Sequence, residues 1–203
     1  MFVVHLKLFF LRIQFMKDIY VTIINKPSWN SKKINLLRIR LLFLLMLILP
    51  ISPSYSKEPP VPATPMLNIS VGQVAVFDKE LQSQRYGLEY RFRPYGKYQL
   101  IPAIGFAFSE NNDSFIYSDL RHDFWLNNHW VVTPSIGAGV FSDGNKIDLG
   151  NDIEFRSGLE VAYRFKNNYR LGLALFHLSN AGTANQNPGT EALVLSVSLP
   201  IGR

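Results

Sequence analysis

Glu154-Phe155-Arg156-Ser157-Gly158-Leu159-Glu160-Val161-Ala162-Tyr163-Arg164-Phe165 alternates in character along most of its length. Phe155, Leu159, Val161, Tyr163 and Phe165 share one parity, and Glu154, Arg156, Gly158, Glu160 and Arg164 share the other. A period of two belongs to a β-strand, whose successive side chains point to opposite faces. The same pattern recurs on either side. Tyr86, Leu88, Tyr90 and Phe92 alternate with Arg85, Gly87, Glu89 and Arg91. Trp130, Val132, Pro134, Ile136, Ala138 and Val140 alternate with Val131, Thr133, Ser135, Gly137 and Gly139. One face is therefore apolar and aromatic, and the other is charged, small or polar.

Two barrels satisfy that pattern. A soluble barrel turns the apolar rows inward and leaves the charges wet; an outer-membrane barrel turns them outward to lipid. Three features favour the membrane version. Several strands run about nine to thirteen residues, which suits a tilted bilayer span. Tyr86, Phe92, Trp125, Trp130, Tyr163 and Tyr169 lie near strand ends, where interfacial aromatic girdles form. The connections also alternate between tighter turns and longer loops. Eight strands are expected, at 66–77, 84–93, 98–108, 114–126, 129–141, 153–165, 169–179 and 191–200. Asn127-Asn128, Lys166-Asn167-Asn168 and Arg93-Pro94-Tyr95-Gly96-Lys97 make the turns on one side. Loops 78–83, 109–113, 142–152 and 180–190 lie on the other. The fold class is thus all-β, an eight-stranded antiparallel transmembrane barrel.

Such a barrel has room inside only for side chains. Arg85, Glu89, Arg91, Asp119, Arg121, Asp123, Glu154, Arg156, Glu160, Arg164 and Arg170 fill it as an ion-paired plug rather than a pore. Gly87, Gly137, Gly139, Gly158 and Gly172 fall on the same inner parity and relieve crowding there.

The front of the chain reads differently. Lys32, Lys33, Arg38 and Arg40 lead into Leu41-Leu42-Phe43-Leu44-Leu45-Met46-Leu47-Ile48-Leu49, then Pro50 and Ser54-Tyr55-Ser56. A basic region, a short apolar core and small residues describe a secretory signal cleaved after Ser56. Residues 1–56 are accordingly expected to be removed, with translation starting downstream of 1–31, near Ile34. Residues 57–64 form a short proline-containing periplasmic leader, and 65–203 form the barrel. Of the 21 basic and 15 acidic residues, eight and one lie in 1–56, which leaves 13 and 14 in the mature part. The basic balance belongs to the discarded end, so no argument for a nucleic-acid partner survives. With no cysteine, disulfide, thiol and Cys–metal chemistry are excluded.

The chemistry gathers in the last hairpin. Phe176-His177-Leu178-Ser179-Asn180-Ala181-Gly182 is followed by Asn187-Pro188-Gly189-Thr190-Glu191. Tyr169, Leu171, Leu173 and Leu175 make the apolar row of the seventh strand, and His177 and Ser179 continue it. Glu191 begins the row of Leu193, Leu195, Val197 and Leu199 in the eighth. All three polar side chains are thus expected on the lipid-facing wall, at the outer-leaflet end. Directly opposed residues on antiparallel strands hold their Cβ atoms about 5 Å apart, within reach of a Glu–His hydrogen bond. Polar groups on such a face are costly unless they pair or act. A Ser, a His and an acid are the inventory of an acyl hydrolase. His122 and His129 show no comparable company, and no group with metal-ligand spacing stands out, so neither a cofactor nor a metal is expected.

His177-Leu178-Ser179-Asn180-Ala181-Gly182, with Glu191 at its spacing from the histidine, resembles the motif of the PagL-type lipid A 3-O-deacylases, eight-stranded outer-membrane esterases. The resemblance covers the mature chain in architecture, while its specific motif spans this last hairpin. It implies hydrolysis of the 3-position acyl ester of lipid A, releasing a 3-hydroxy fatty acid. Ser179 would be the nucleophile, His177 the general base and Glu191 the residue orienting the imidazole. The backbone amides of Asn180 and Gly182 would match the oxyanion hole. The implied partner is lipid A, or lipopolysaccharide, of the outer leaflet of a Gram-negative outer membrane, with a homodimer left open. Many outer-membrane barrels end on an aromatic residue, whereas this chain ends Leu199-Pro200-Ile201-Gly202-Arg203. Three alternatives compete: a non-enzymatic surface or adhesion barrel, a phospholipase acting on outer-leaflet lipids, and a soluble ligand-binding barrel.

Overall fold

The computed structural model describes residues 64–202. The expected signal segment and all but the last residue of the 57–64 leader lie outside them. Nine strands form among the described residues: β1 (Met66–Val74), β2 (Ser83–Arg91), β3 (Ile101–Ser109), β4 (Ser114–Arg121), β5 (Phe124–Trp125), β6 (Trp130–Ser142), β7 (Ile153–Arg164), β8 (Arg170–Ser179) and β9 (Thr190–Pro200). Every pairing is antiparallel, and β1 pairs with both β2 and β9. The β4–β6 pairing closes the ring. Because β5 continues β4 along the same neighbour, β6, the barrel has eight staves. Closure removes the open sheet edges, so each of the eight staves finds backbone partners on both sides.

The rows fall as the alternation requires of a membrane barrel. Ile116 and Ile136 on the outside are 63% and 67% exposed, whereas Glu154 and Arg121 on the inside are 0% and 1% exposed. The soluble alternative needs the reverse. Inside, Glu89 Oε1 accepts from Arg91 Nε at 2.7 Å, and its Oε2 accepts from Arg121 Nη2 at 2.8 Å and from the Tyr117 hydroxyl at 2.9 Å. Arg91 reaches across to both oxygens of Glu160, at 3.1 and 2.5 Å, and Arg156 pairs with Asp119. Nearer the rim where β1 begins and β9 ends, Arg170 and Thr133 hold the two oxygens of Asp123 at 2.7 and 2.8 Å. The buried charges of these pairs are tolerable because each meets an opposite charge or a donor, whereas both carboxylate oxygens of buried Glu154 lack a hydrogen-bond partner among the described residues.

Beyond shifts of one or two residues, three departures from the sequence expectation occur, each for a local reason. β1 stops at Val74 rather than residue 77, because Ala75 turns into the left-handed region with φ 55°. β3 starts at Ile101 rather than residue 98, because Gln99 (φ 50°) and Gly96 (φ 70°) form a bulkier turn, pinned by the Tyr95–Leu100 bridge. The fourth stave breaks at His122 and Asp123, opposite Pro134 of β6. The His122 amide still donates to the Pro134 carbonyl at 3.3 Å, but a proline has no N–H to return.

The interior is not polar throughout. Towards the other rim, Val74, Ala107, Phe115, Phe141, Phe176, Leu178, Ala192 and Val194 form one apolar cluster with Ile147 and Leu149. The last two come from loop 143–152, which folds into the barrel mouth and buries both side chains. Phe176 is the hinge between the two zones. The Arg156 guanidinium lies 3.6 Å from its ring centroid and 4.1 Å from that of Tyr117, so the cation is held between aromatic faces. A Cβ on Gly158, the residue paired with Phe176, would overlap that ring.

Candidate active site

Phe176 and Leu178 alternate with His177 and Ser179 along β8. The first pair is buried in the apolar cluster, so the second pair is fixed on the outer wall. The anchoring side chains of the site are therefore its sequence neighbours. In register, His177 lies directly opposite Glu191 of β9. His177 Nδ1 and Glu191 Oε1 are 3.1 Å apart, with the side chains 31% and 13% exposed. A carboxylate at Nδ1 sets the tautomer in which Nδ1 carries the proton and Nε2 is the basic nitrogen. Ser179 follows two residues on, on the same face, at the end of β8. Its hydroxyl makes no hydrogen bond to another described residue.

After Ser179 the chain enters a tight turn. Asn180 is wholly buried, and its side-chain amide donates to the carbonyls of Leu149 (3.0 Å) and Gln186 (2.7 Å). Its side-chain oxygen accepts from the Gly182 amide at 2.9 Å, and its carbonyl accepts from the Thr183 hydroxyl at 2.8 Å. Asn180 thus ties three loop segments together beneath Ser179. Ala181 and Gly182 are both left-handed, with φ 54° and 79°. Such consecutive positive φ values turn backbone amides away from the sheet. Both amides expected to form an oxyanion hole have internal acceptors here: Asn180 N donates to Asn187 Oδ1 at 3.2 Å, and Gly182 N to Asn180 Oδ1.

Two neighbours of the imidazole were not read from the sequence. Ser157 of β7 lies opposite His177 on the side away from Glu191. Gly189 (φ 65°) approaches the ring so closely that a Cβ there would lie 3.2 Å from His177 Cε1. Only the strand register could have found the first, and only the loop conformation the second. No group of three or more His, Asp or Glu with metal-binding geometry occurs among the described residues.

Residues 111–200, which hold this hairpin and the three staves before it, match the family model described as lipid A 3-O-deacylase (PagL). A curated relative, the lipid A deacylase PagL of Bordetella bronchiseptica, is 29% identical over 75 residues. The C-terminal staves are thus similar in sequence to PagL, and the barrel is similar to it in fold. The matched stretch is 36% of this chain and 42% of that relative's length, less than half of either. Among solved structures, the outer-membrane enzyme PagL superposes with a TM-score of 0.56 at 19% identity, over 67% of this chain and 99% of that one. Neisserial surface protein A gives 0.50 at 11% identity, over 70% and 98%. At such identities the superpositions speak for the fold, an outer-membrane barrel. The sequence similarity to PagL lies in the C-terminal staves.

Proposed function

We propose that this barrel is an outer-membrane ester hydrolase that removes the 3-O-linked acyl chain of lipid A. The observation that carries the reading is the His177–Glu191 hydrogen bond on the lipid-facing wall, with Ser179 on the same face two residues away. A hydrolase with its base on the outside of a barrel takes its substrate from the surrounding leaflet. The PagL-type sequence of residues 111–200 supports lipid A as that substrate.

In this mechanism Glu191 holds Nδ1–H, and His177 Nε2 accepts the Ser179 proton as Oγ attacks the ester carbonyl. The tetrahedral oxyanion would be received by the Asn180 and Gly182 amides once Asn187 Oδ1 and Asn180 Oδ1 release them. Amide donors aimed at a developing oxyanion contribute roughly 3 kcal/mol each. The imidazolium then returns its proton to the leaving sugar oxygen, freeing the sugar and leaving an acyl-enzyme on Ser179. Water, deprotonated by the same His177, attacks the acyl carbonyl and releases the fatty acid, and the proton goes back to Ser179.

The test is mass spectrometry of lipid A from Gram-negative cells making the barrel behind a reliable signal peptide, wild type beside Ser179→Ala. Loss of one 3-hydroxyacyl chain with the wild type alone is the expected result. Unchanged lipid A, with folded wild-type protein in the outer membrane, would overturn the reading. Shortened phospholipids in the same extract would mark a phospholipase instead.

A further inference from the structure

The imidazole of His177 stands between two cross-strand neighbours, Glu191 on β9 and Ser157 on β7. Glu191 takes Nδ1. Ser157 has no part in the mechanism above. The lipid-facing row of β7 reads Phe155, Ser157, Leu159, Val161 and Tyr163, so this hydroxyl interrupts an aliphatic and aromatic surface. It is partly exposed and makes no hydrogen bond to another described residue. A hydroxyl facing hydrocarbon without a partner is unfavourable. A ligand that supplies the partner would bind there in preference to one that does not.

The depth of Ser157 says which part of a lipid it meets. Ser179 lies opposite Phe155, at the end of the strand nearest the long loops. Ser157 is two residues further down β7, roughly 6.6 Å along the strand and towards the bilayer midplane. A lipid whose ester carbonyl sits at Ser179 sends its sugar towards the rim and its acyl chain down the wall past Ser157. A diagonal pair such as Ser179 and Ser157 has its α-carbons roughly 7–8 Å apart. That gap accommodates a carbonyl carbon at the nucleophile, two further chain carbons, and a hydroxyl about 2.8 Å from the second serine oxygen.

We propose that Ser157 is a specificity residue that hydrogen-bonds a hydroxyl on the third carbon of the acyl chain, so that 3-hydroxyacyl esters are cleaved in preference to unsubstituted ones. The assignment rests on the esterase reading above and extends it from the ester to the chain. The Ser157 hydroxyl both donates and accepts, which matches a secondary alcohol. Its place on the far side of the imidazole from Glu191 leaves the Glu191–His177 bond undisturbed when substrate is bound.

The experiment uses the full barrel in detergent micelles with two synthetic lipid A monosaccharides. One carries a 3-hydroxytetradecanoyl ester at its 3-position, the other a tetradecanoyl ester, and released fatty acid is quantified by mass spectrometry. Wild type should prefer the hydroxylated ester. Ser157→Ala should lower kcat/KM on that ester about tenfold, the worth of one neutral hydrogen bond, and leave the plain ester unchanged. Ser157→Thr, which keeps the hydroxyl, should keep the preference. Ser118→Ala, a lipid-facing serine on β4 far from His177, should alter neither rate. An equal fall on both esters would overturn the proposal, since it would mean that Ser157 acts through the fold or the imidazole. No change on either, or a wild type without preference, would overturn it as well. Hydrolysis of neither ester by folded wild type would instead defeat the esterase reading, and this assignment with it.

Discussion

Replacing Glu89 by Ala should cost this barrel about 5 kcal/mol. The carboxylate is 3% exposed and faces Arg91 at 2.7 Å, Arg121 at 2.8 Å and Arg156 at 3.7 Å. Three guanidiniums meet three carboxylates in this cluster, the others being Asp119 and Glu160. Taking one carboxylate away leaves an uncompensated positive charge among groups with no route to water. Breaking a buried pair in that way typically costs about 3–5 kcal/mol. The Tyr117 hydroxyl loses its acceptor too, which adds about 1 kcal/mol. The assay is urea unfolding in phospholipid vesicles, followed by fluorescence of Trp125 and Trp130 and by the heat-dependent shift in gel mobility. The double variant Glu89→Ala/Arg121→Ala restores the charge balance and should recover at least about 1 kcal/mol of the loss. A single variant within about 1 kcal/mol of wild type would refute the reasoning. So would a double variant less stable than Glu89→Ala alone, because charge balance would then not be what holds the interior together.

Two further perturbations address the site. Gly189→Ala places a methyl 3.2 Å from His177 Cε1 on a residue at φ 65°; turnover should fall about tenfold while the unfolding midpoint of the barrel scarcely moves, as kinetics and urea titration on one preparation would reveal. Glu191→Ala removes the Nδ1 partner without touching the nucleophile or base, so kcat should fall by about a hundredfold, clearly less than for Ser179→Ala or His177→Ala in the same lipid A assay.

Much of this molecule was legible before its coordinates. Alternation around Phe155 to Phe165 gave the wall its two faces, and the parity of His177, Ser179 and Glu191 put all three on the outer one. Periodicity is a local property, and these are its local consequences. What escaped depends on pairing or on backbone geometry. By parity Pro134 is one more residue of an apolar row, yet its missing N–H breaks the stave beside it. Phe115, Phe141, Phe176 and Leu178 share the inner parity with the arginines, and only their assembly with Ile147 and Leu149 makes them a separate apolar zone. Ser157 gains its interest from a register that no single strand encodes. The acceptors held by the Asn180 and Gly182 amides follow from how the loop folds back, which the motif residues do not dictate.

The two zones inside the barrel also bear on what the membrane must withstand. The self-neutralising Arg–Glu–Asp lattice fills one depth, and the cap of Phe115, Phe141, Phe176, Leu178, Ile147 and Leu149 fills the next. An ion entering from either side meets a lattice of paired fixed charges, or hydrocarbon. A bilayer crowded with this protein should therefore keep the electrical resistance of bare lipid, and copy number can rise without the cell losing its small solutes.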